Sequence, residues 1–565
     1  MRRRYVLLVF SLGLLVCAAG KAQPPQQFRV WGDKAAAHPY LGDAGLNDAA
    51  PVPIDASAQE KQRGFVLFFC QPFSVLPHDF APGPGDRCVA VSAADCPGEY
   101  GPVAFGIEAL RDLELTIACG ELQTSAGQVI TRENLDLRAV RYVKISYRGK
   151  PHVIPLLIEK QETIRIPAGR FALVWTTYYI PPDAPAGDYD GRLSIASDGK
   201  ELASLPLRLT VYPLKLQDST QQTYIYYNNS TNPSEFPRVL NELIDQRLHG
   251  MKGSTLIPPV RLDGELPRPA MARVLDLYKK AGFTKPVHIG LWNRITAEWL
   301  NTPDRSIKMY GPWFRYYPFS DKLDRRYVDA VRMIRDEAKA RGIEFELEVA
   351  DEPGSHPWTT EAAQHYNDLI RRELPDVVRE LTVGGGWAMG RAEHELWKGR
   401  IDAWTSNRWL ADKLEIVQRD DPKARIGIYN MAGGGSGPGG ICTRSFYGFF
   451  LWKTGAVGAA QWTYWHSGTP EDNHTWPAAD GRPVPTLRWE AAREGAKDLR
   501  YLTALETKLK SKQPSPESRK LLEEIRAGTE LRTMDYDPIA GGRIPARRPQ
   551  VYDQWRRRIA ELIMR

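Results

Sequence analysis

The sequence contains no concentrated run of Lys and Arg, although its formal net charge at pH 7 is +7. Four of the positive residues, Arg2, Arg3, Arg4 and Lys21, lie in the first 22 residues, which leaves the rest of the chain with only +3. Proteins that bind nucleic acid through charge present a basic face or stripe. We therefore expect no nucleic-acid partner.

Recognisable metal and nucleotide motifs are also missing. The sequence has no C-x-x-C pair near a pair of histidines, the spacing that a zinc site usually requires. The glycine-rich stretch GGGSGPGG at 433–440 lacks the Lys-Ser or Lys-Thr that follows in a phosphate-binding loop. We interpret it as a loop after the seventh strand of the barrel predicted below, and we expect neither a metal nor a nucleotide cofactor.

Cysteine is scarce, with six residues in 565, but four of the six lie within 50 residues of one another. Cys70, Cys88, Cys96 and Cys119 form this group, and Cys442 stands apart. In an oxidising compartment such clustering predicts at least one disulfide, with three ways to pair all four residues. Cys442 is expected to be a buried free thiol.

Long apolar runs are rare, and the clearest one lies close to the N terminus. Three arginines at 2–4 precede an apolar segment from Tyr5 to Gly20, and small residues fit a cleavage site after Ala22. The segment is shorter than the ~20 residues of a membrane-spanning helix. Val before Cys17 disfavours a lipoprotein. We predict that residues 1–22 are a signal peptide and that the protein is secreted or periplasmic, without a membrane span.

The composition, 42% hydrophobic and 25% charged, is that of a soluble globular protein, and the length predicts more than one domain. From about Phe28 to Leu214 the chain consists of short segments with strand-like alternation, separated by Pro, Gly and Asp. The clearest example is LPLRLTVYPLKL, from Leu205 to Leu216. We predict that residues 23–217 form an all-β sandwich.

After Asp218, apolar strand-like runs alternate with amphipathic helical segments, the pattern of a parallel barrel. Eight strand candidates begin at Thr223, Gly250, Pro286, Phe345, Glu380, Ile401, Arg425 and Ala456. We predict a multidomain protein in which the sandwich precedes a (β/α)8 TIM-type barrel at 218–500. A C-terminal helical appendage follows at 501–565.

Aromatic and amide side chains follow the predicted strands, at the end of the barrel where active sites lie. Thirteen of the 16 tryptophans fall between Trp292 and Trp489. Flat aromatic rings can stack on the apolar faces of sugars while amides and carboxylates bind the hydroxyl groups. The alternative is that these rings only cap the barrel core. The candidate substrate-binding residues are Tyr226, Asn228, Trp292, Asn293, Trp387, Trp404, Asn407, Tyr429, Asn430, Trp462, Tyr464 and Trp465.

The most specific candidate for chemistry is Asp351-Glu352-Pro353, at the end of the fourth barrel strand. Strict alternation turns Glu352 into the barrel and Asp351 away from it, whereas Pro353 ends regular pairing and lets the chain twist. Two adjacent carboxylates in one pocket raise at least one pKa, which suits a general acid. Glu346 and Glu348 are rival carboxylates deeper in the barrel, and an Asp-Glu pair on a surface loop is the alternative without function.

Several segments together resemble glycoside hydrolase family 123. PPDAPAGDYDG (181–191) and LPLRLTVYPLKL resemble its sandwich domain, and VADEPG (349–354) resembles its Asp-Glu-Pro segment at the end of the fourth barrel strand. FYGFFLWKTGAVGAAQWTYW (446–465) and PTLRWEAAREGAKDLRYL (485–502) resemble its closing strand and C-terminal helix. The similarity runs in order along nearly the whole chain after residue 22.

The resemblance implies a retaining β-N-acetylgalactosaminidase, or an enzyme for a related N-acetylhexosamine, that acts on a glycan or glycoconjugate by substrate assistance. It implies that Glu352 protonates the leaving oxygen and that Asp351 orients the 2-acetamido group, whose oxygen attacks the anomeric carbon. An oxazolinium intermediate explains why two consecutive carboxylates suffice. The rivals are a glycosidase for a sugar without an acetamido group, with Glu346 or Glu348 as nucleophile, and a carbohydrate-binding protein without catalysis.

Overall fold

The computed structural model describes most of the chain after residue 26. The described ranges are 27–37, 42–43, 54–77, 79–147, 150–227, 231, 233–259, 266–290, 321–353, 357–383, 394–407, 418–430, 440–466, 472–510, 515–531 and 546–565. The predicted signal peptide, residues 1–22, lies outside the described residues.

The first part of the chain is built of β-strands. They are β1 (Gly42–Asp43), β2 (Phe65–Phe69), β3 (Val91–Asp95), β4 (Tyr100–Ala109), β5 (Leu113–Cys119), β6 (Leu122–Gln123), β7 (Val129–Ile130), β8 (Leu135–Tyr147), β9 (Lys150–Glu159), β10 (Ile164–Ile166), β11 (Phe171–Tyr179), β12 (Gly187–Ser197) and β13 (Lys200–Val211). One sheet has the order β1-β8-β11-β4-β2, with β9 against β8. The other has the order β10-β5-β12-β13-β3, with β6 and β7 at its side.

The two sheets share one buried core. Phe105 and Val174 come from the first sheet, and Leu193, Leu207 and Leu209 come from the second. Alternate residues of β13 are buried in this core, as the alternating sequence predicts. The all-β sandwich is therefore confirmed.

The second part of the chain forms a closed barrel of eight parallel strands. They are β14 (Gln222–Tyr226), β15 (Gly253–Leu256), β16 (Val287–Gly290), β17 (Phe345–Asp351), β18 (Val378–Val383), β19 (Ala403–Asn407), β20 (Arg425–Tyr429) and β21 (Gly458–Gln461). The ring closes because β21 pairs with β14. Each predicted strand candidate contains or overlaps one of these strands, and the TIM-type barrel is confirmed.

Helices surround the barrel and continue beyond it, and a short hairpin follows the last barrel strand. The helices are Gln27–Val30, Ala58–Arg63, Phe236–Leu248, Arg268–Lys280, Asp321–Ala340, Pro357–Glu373, Ile441–Ser445, Leu451–Thr454, Leu487–Leu509, Pro516–Gly528 and Pro549–Met564. A π-helical turn covers Phe446–Phe450, and the hairpin pairs β22 (Thr475–Pro477) with β23 (Pro483–Pro485). Among the helices that the structure describes, none combines the length and apolar character needed to cross a membrane.

Side chains of the barrel strands divide between an apolar outer layer and a polar interior. Leu347, Leu381 and Ile428 point outward into the core between strands and helices. In the interior, the Tyr224 hydroxyl lies 2.9 Å from Thr405 Oγ1 across the barrel. The interior therefore carries the groups that can do chemistry, and the outer layer holds the fold together.

A β-bulge at Val349 changes the alternation of strand β17. Glu348 pairs with Glu380, the next pair is Ala350 with Leu381, and Asp351 then pairs with Thr382. Val349 and Ala350 both join the outer core. One extra residue therefore ends the strict alternation after Glu348 and turns Asp351 to the interior, an orientation that the sequence analysis attributed to Pro353. The turn arises at this bulge and not at Pro353.

The helix Leu487–Leu509 lies between the sandwich and the barrel and is buried along most of its length. Its first residues, Leu487 and Ala491, pack in a core with the sandwich sheet that contains β11. Trp489, between them, and Leu499, farther along, belong to the core around the barrel. The helix continues across the predicted domain boundary at residue 500, so the C-terminal helices extend a helix that both domains share.

Buried ion pairs fix this helix to its neighbours. Lys497 pairs with Asp95 of the sandwich, and Asp498 binds Arg444 at 2.8 Å and Arg556 at 2.6 Å. Arg556 belongs to the last helix, Pro549–Met564. Removing one partner of a buried pair leaves the other charge buried without a counter-charge, which destabilises the fold. The pairs therefore define how sandwich, barrel and C-terminal helices fit together.

Asp245, on the first helix of the barrel, joins the N-terminal segment to the rest of the protein. Its fully buried carboxylate accepts hydrogen bonds from Trp31 Nε1 at 2.6 Å, Trp489 Nε1 at 2.8 Å and the Tyr464 hydroxyl at 2.8 Å. Burial alone would raise the pKa of Asp245, but His249 and these hydrogen bonds lower it. An ionised carboxylate is therefore at the centre of this cluster.

We expect Asp245→Ala to destabilise the protein by about 3–5 kcal/mol, because it removes the common acceptor of three buried donors and the charge beside His249. Urea denaturation measures the free energy of unfolding. Asp329→Ala, at a side chain that is 70% exposed, is the control and should change it by no more than ~0.5 kcal/mol. Equal effects of the two substitutions would contradict a structural role for Asp245.

The predicted disulfide near residues 70–119 is not formed, since every cysteine in the described part of the chain is a free thiol. Cys70 and Cys88 lie close enough for their thiols to interact, yet no bond joins them. Cys70, Cys88 and Cys96 belong to three different cores, and the Cys96 sulfur lies 3.1 Å from the hydroxyl of Tyr501. The expectation of a disulfide is thus corrected, while Cys442 is buried and free as predicted.

Candidate active site

Asp351 and Glu352 lie at the C-terminal end of strand β17, the end of the barrel where TIM-barrel active sites are built. The bulge brings Asp351 opposite Thr382 of strand β18. Glu352 follows with φ of 45° and donates its backbone N–H to the Thr382 carbonyl at 3.0 Å. A left-handed backbone is unusual for a residue other than glycine and is found most often at functional sites. Asp351 therefore lies at the mouth of the barrel, and the carboxyl group of Glu352 is close enough to it to affect its pKa.

The environment of Asp351 favours its protonated form. Burial raises the pKa of Asp351 well above its ordinary value, and the negative charges of Glu348 and Glu352 raise it further. The neighbouring Thr382 hydroxyl opposes the rise only in part. A buried carboxyl group whose pKa is raised by neighbouring carboxyl groups is typical of acid–base sites.

Aromatic side chains form the wall beside these carboxyl groups. The rings of Tyr226 and Tyr429 lie 6.0 Å apart, and Trp462 lies 6.1 Å from Tyr226 on its other side. The three belong to one cluster inside the barrel, and His466 stands 5.6 Å from Trp462. The structure thus brings three predicted substrate-binding residues together at the barrel mouth.

A second polar group occupies the opposite end of the barrel. Glu346 pairs with Arg425 at 2.7 Å, and Glu380 pairs with His288 at 2.5 Å, beside a cavity of about 200 Å³. Burial alone would lower the pKa of His288, but Glu380 and Glu346 raise it to about 9. His288, Glu346 and Glu380 lie close enough together for a metal site. Because two cations already balance the two carboxylates, we interpret the group as an ion-pair network that closes the barrel.

This placement bears on the rival nucleophiles proposed from the sequence. Glu346 is bound in the ion-pair network at the N-terminal end of the strands, away from Asp351. Glu348 is one interior position above it and faces Tyr226 and Thr382. Of the two rivals, the geometry leaves Glu348 as the one near the candidate site.

The fold is similar to solved structures of glycoside hydrolases. A family 123 glycoside hydrolase from Clostridium perfringens aligns with a TM-score of 0.63 at 12% sequence identity, over 88% of this chain and 98% of that chain. A family 39 glycoside hydrolase from the gut symbiont Bacteroides cellulosilyticus WH2 aligns with a TM-score of 0.39 at 12% identity, over 73% of this chain and 82% of that one. No family model and no curated protein matches the sequence. The chain therefore shares the fold of the family 123 enzyme.

Two of the predicted substrate-binding residues lie in cores away from the barrel mouth. Trp404 is only 1% exposed and packs 5.2 Å from His394 in the layer between strands and helices, because its neighbour Thr405 faces the interior. Tyr464 is fully buried, and its hydroxyl donates to Asp245. Both residues stabilise the fold, and this part of the sequence prediction is corrected.

The remaining described candidates lie around the rim. Trp465 borders a separate cavity of about 340 Å³ together with Trp476 and Arg238. Asn430 follows strand β20 with φ of 54° and donates its backbone N–H to the carbonyl of Ala460. Asn407 ends strand β19 and pairs with Tyr429. Trp465 thus faces a cavity of its own, while Asn407 and Asn430 lie at the C-terminal ends of their strands.

Four predicted substrate-binding residues lie outside the described residues. They are Asn228, Trp292, Asn293 and Trp387. Most of the glycine-rich stretch at 433–440 lies outside them as well. For these positions the sequence prediction stands as stated.

Thr382 is a site residue that the sequence reasoning missed. Its hydroxyl donates to Glu348 Oε1 at 2.6 Å, and its backbone anchors Glu352. It stands two residues after Glu380 in a strand with regular alternation, so both side chains face the interior. The alternation of that strand was the signal that could have identified it.

We expect Trp462→Ala to weaken substrate binding more than it weakens the fold. Trp462 is only partly buried and edges the barrel mouth, so its loss should raise KM about tenfold with little change in Tm. Trp489→Ala is the control, because a fully buried ring should cost ~3–5 kcal/mol of stability. A collapsed melting temperature for Trp462→Ala, with unchanged KM, would place this ring in the core instead.

Proposed function

We propose that the protein is a glycoside hydrolase that removes β-linked N-acetylgalactosamine, or a related N-acetylhexosamine, from glycans. The observation that carries this proposal is the adjacent pair Asp351-Glu352, at the mouth of a barrel walled by Tyr226 and Trp462. The protein whose fold this chain shares is a glycoside hydrolase, studied for glycolipid glycan hydrolysis. Carboxyl groups beside aromatic rings are what cleavage of a sugar bond requires.

In this proposal the nucleophile belongs to the substrate. Asp351 orients the 2-acetamido group so that its oxygen attacks the anomeric carbon, while Glu352 protonates the departing glycosidic oxygen. An oxazolinium ion results, and water assisted by Glu352 opens it with net retention. Two carboxyl groups on one strand suit this route, because an ordinary retaining enzyme needs its carboxyl pair on opposite sides of the bond, ~5 Å apart.

A second candidate is a retaining glycosidase that uses Glu348 as its own nucleophile. Glu348 faces the same interior and favours this candidate over one that employs Glu346. Its 3% exposure and its position below Asp351 disfavour direct contact with a sugar. Substrate assistance therefore remains the better-supported mechanism. We also propose that residues 1–22 direct the protein to the periplasm or the exterior.

Chromogenic β-GalNAc, β-GlcNAc, β-galactoside and β-glucoside substrates, compared side by side, test the proposal. We expect cleavage of the acetamido sugars, with the β-anomer as the first product in an NMR time course. A thiazoline mimic of the oxazolinium ion should inhibit strongly. Protein carrying Asp351→Asn, which should slow cleavage whatever group departs, is prepared in the same way and controls for contaminating enzymes. Equal cleavage of β-galactoside and β-GalNAc, or an initial α-anomer, would contradict substrate assistance.

A further inference from the structure

Glu348 is a buried carboxyl group directly below Asp351 on the interior face of strand β17. The bulge at Val349 puts the two residues in consecutive interior positions, since Val349 and Ala350 point into the outer core. Glu348 is 3% exposed. A carboxyl group buried so close to the candidate site needs a physical reason.

Two hydroxyl groups from neighbouring strands point at the same oxygen of Glu348. Thr382 Oγ1 of strand β18 donates to Oε1 at 2.6 Å, and the Tyr226 hydroxyl of strand β14 lies 3.5 Å from the same atom. Hydrogen bonds that a carboxylate accepts stabilise its charged form. The contacts therefore favour a negative charge on Glu348, in an enclosed space below the catalytic pair.

The charge on Glu348 acts on a small and defined set of groups. Asp351 and Glu352 follow it in the chain, and titratable groups of neighbouring and facing strands surround it. These groups are Tyr226 and Tyr224 of β14, His288 of β16 and Glu380 of β18, with Arg425 of β20 paired to Glu346 below. His288 and Arg425 offset the charges of Glu380 and Glu346, whereas Glu348 adds to the effect of burial in raising the pKa of Asp351.

Building on the proposed function, we infer that Glu348 is a positioning residue whose negative charge makes Asp351 and Glu352 keep their protons up to a higher pH. The working state needs an ionised Asp351, to accept the acetamido N–H, and a protonated Glu352, to act as the acid. A fixed negative charge below the pair makes both carboxyl groups hold their protons more tightly. The pH range of activity is thereby raised as a whole.

The sign of the effect is the same for both limbs of the pH profile. On the acidic side, activity rises as Asp351 loses its proton, and on the alkaline side it falls as Glu352 loses its own. Glu348→Gln removes the negative charge with little change of shape, so both pKa values should fall. We expect both limbs of the profile of kcat/KM to move to lower pH by about one unit.

A matched control is available one interior position below. Glu346→Gln removes the same charge from the same strand, but Arg425 compensates Glu346 and the ion-pair network separates it from the site. We expect its limbs to stay within a few tenths of a pH unit of the wild-type values. Glu348→Asp, which restores the charge, should return the limbs most of the way toward the wild type.

Unshifted limbs in a folded, active Glu348→Gln enzyme would overturn the inference. Loss of all activity at every pH, including activity toward activated aryl glycosides, would overturn it in favour of Glu348 as nucleophile. If Glu348→Gln does not fold, Thr382→Val provides the second variant. This substitution removes the hydroxyl that donates to Glu348 and so weakens the negative charge there. The alkaline limb of the variant's pH profile should therefore also move to lower pH.

A readout without turnover separates this inference from the proposed function. The carboxyl carbon of Asp351 can be followed by 13C NMR in protein labelled at aspartate, and assigned by its loss in Asp351→Asn. Its titration midpoint should fall in Glu348→Gln and stay unchanged in Glu346→Gln. A protein that hydrolyses none of the tested glycosides would contradict the proposed function. An unchanged Asp351 titration midpoint in Glu348→Gln would contradict the role of Glu348.

Discussion

Glu352→Gln is expected to nearly abolish hydrolysis of glycosides with poor leaving groups and to spare those with good ones. A natural glycan departs as an alkoxide unless an acid protonates its oxygen, and glutamine cannot supply that proton. A dinitrophenyl group departs as a stable phenolate and needs little protonation. Glu352 is held at the barrel mouth by its N–H bond to Thr382, so an isosteric amide should keep its place.

Steady-state kinetics with a natural oligosaccharide and a dinitrophenyl glycoside measure this contrast. The wild-type enzyme should cleave both, and the variant should lose roughly 10²–10⁴-fold more activity toward the oligosaccharide. Stopped-flow measurement of the dinitrophenyl burst isolates the first step from the later attack of water. If both substrates lost activity equally in that first step, Glu352 would not be the general acid.

Asp351→Asn should slow hydrolysis of both kinds of substrate, because it affects the internal nucleophile whatever group departs. An amide in place of the carboxylate no longer polarises the acetamido N–H, and a misplaced intramolecular nucleophile forfeits about 10²-fold or more in rate. The comparison with Glu352→Gln is therefore diagnostic. A variant whose activity depended on the leaving group would assign Asp351 to acid catalysis.

The same substitution should stabilise the protein at neutral pH. Burial, Glu348 and Glu352 raise the pKa of Asp351 above its ordinary value of 3.8, so the folded state binds this proton more tightly than the unfolded state. This contribution to the free energy of unfolding is fully present below the ordinary pKa of aspartate. It is lost as pH rises through the raised pKa of Asp351. Asparagine does not ionise, so the variant does not lose this stability as pH rises.

Thermal melts across pH measure this second effect. Asp351→Asn and the wild type should have similar Tm values near pH 4, and the variant should have the higher Tm at pH 8. Asp329→Asn, on an exposed helix surface, is the control and should follow the wild type throughout. A variant less stable than the wild type at pH 8 would mean that Asp351 supports the fold rather than only the chemistry.

The fold could be predicted from the sequence because its signals repeat. Alternating residues such as Leu205, Leu207 and Leu209 mark a strand against a shared core, and the eight apolar runs after Asp218 each found a place in the barrel. Such patterns come from burial, which acts on every strand in the same way. Local errors do not accumulate into a wrong architecture.

The site was harder to predict because it depends on which face a single residue occupies. The bulge at Val349 turns the side chain of Asp351 into the barrel, and no feature of the sequence predicts a bulge at this position. Trp404 lies within strand β19 and Tyr464 follows strand β21, and both side chains point into cores. Cys70 and Cys96 are near in sequence but belong to separate cores. Side-chain direction and distant contacts are tertiary properties.

The buried helix Leu487–Leu509 determines how this protein can be divided. A cut near residue 500 would end the chain inside the helix and remove Arg556, leaving Asp498 with one fewer cation. A fragment that begins at the barrel would lack Asp95, the partner of Lys497, and would expose Leu487 and Ala491 to solvent. Neither fragment keeps a closed surface. We therefore expect the sandwich, the barrel and the C-terminal helices to fold best when they are expressed together.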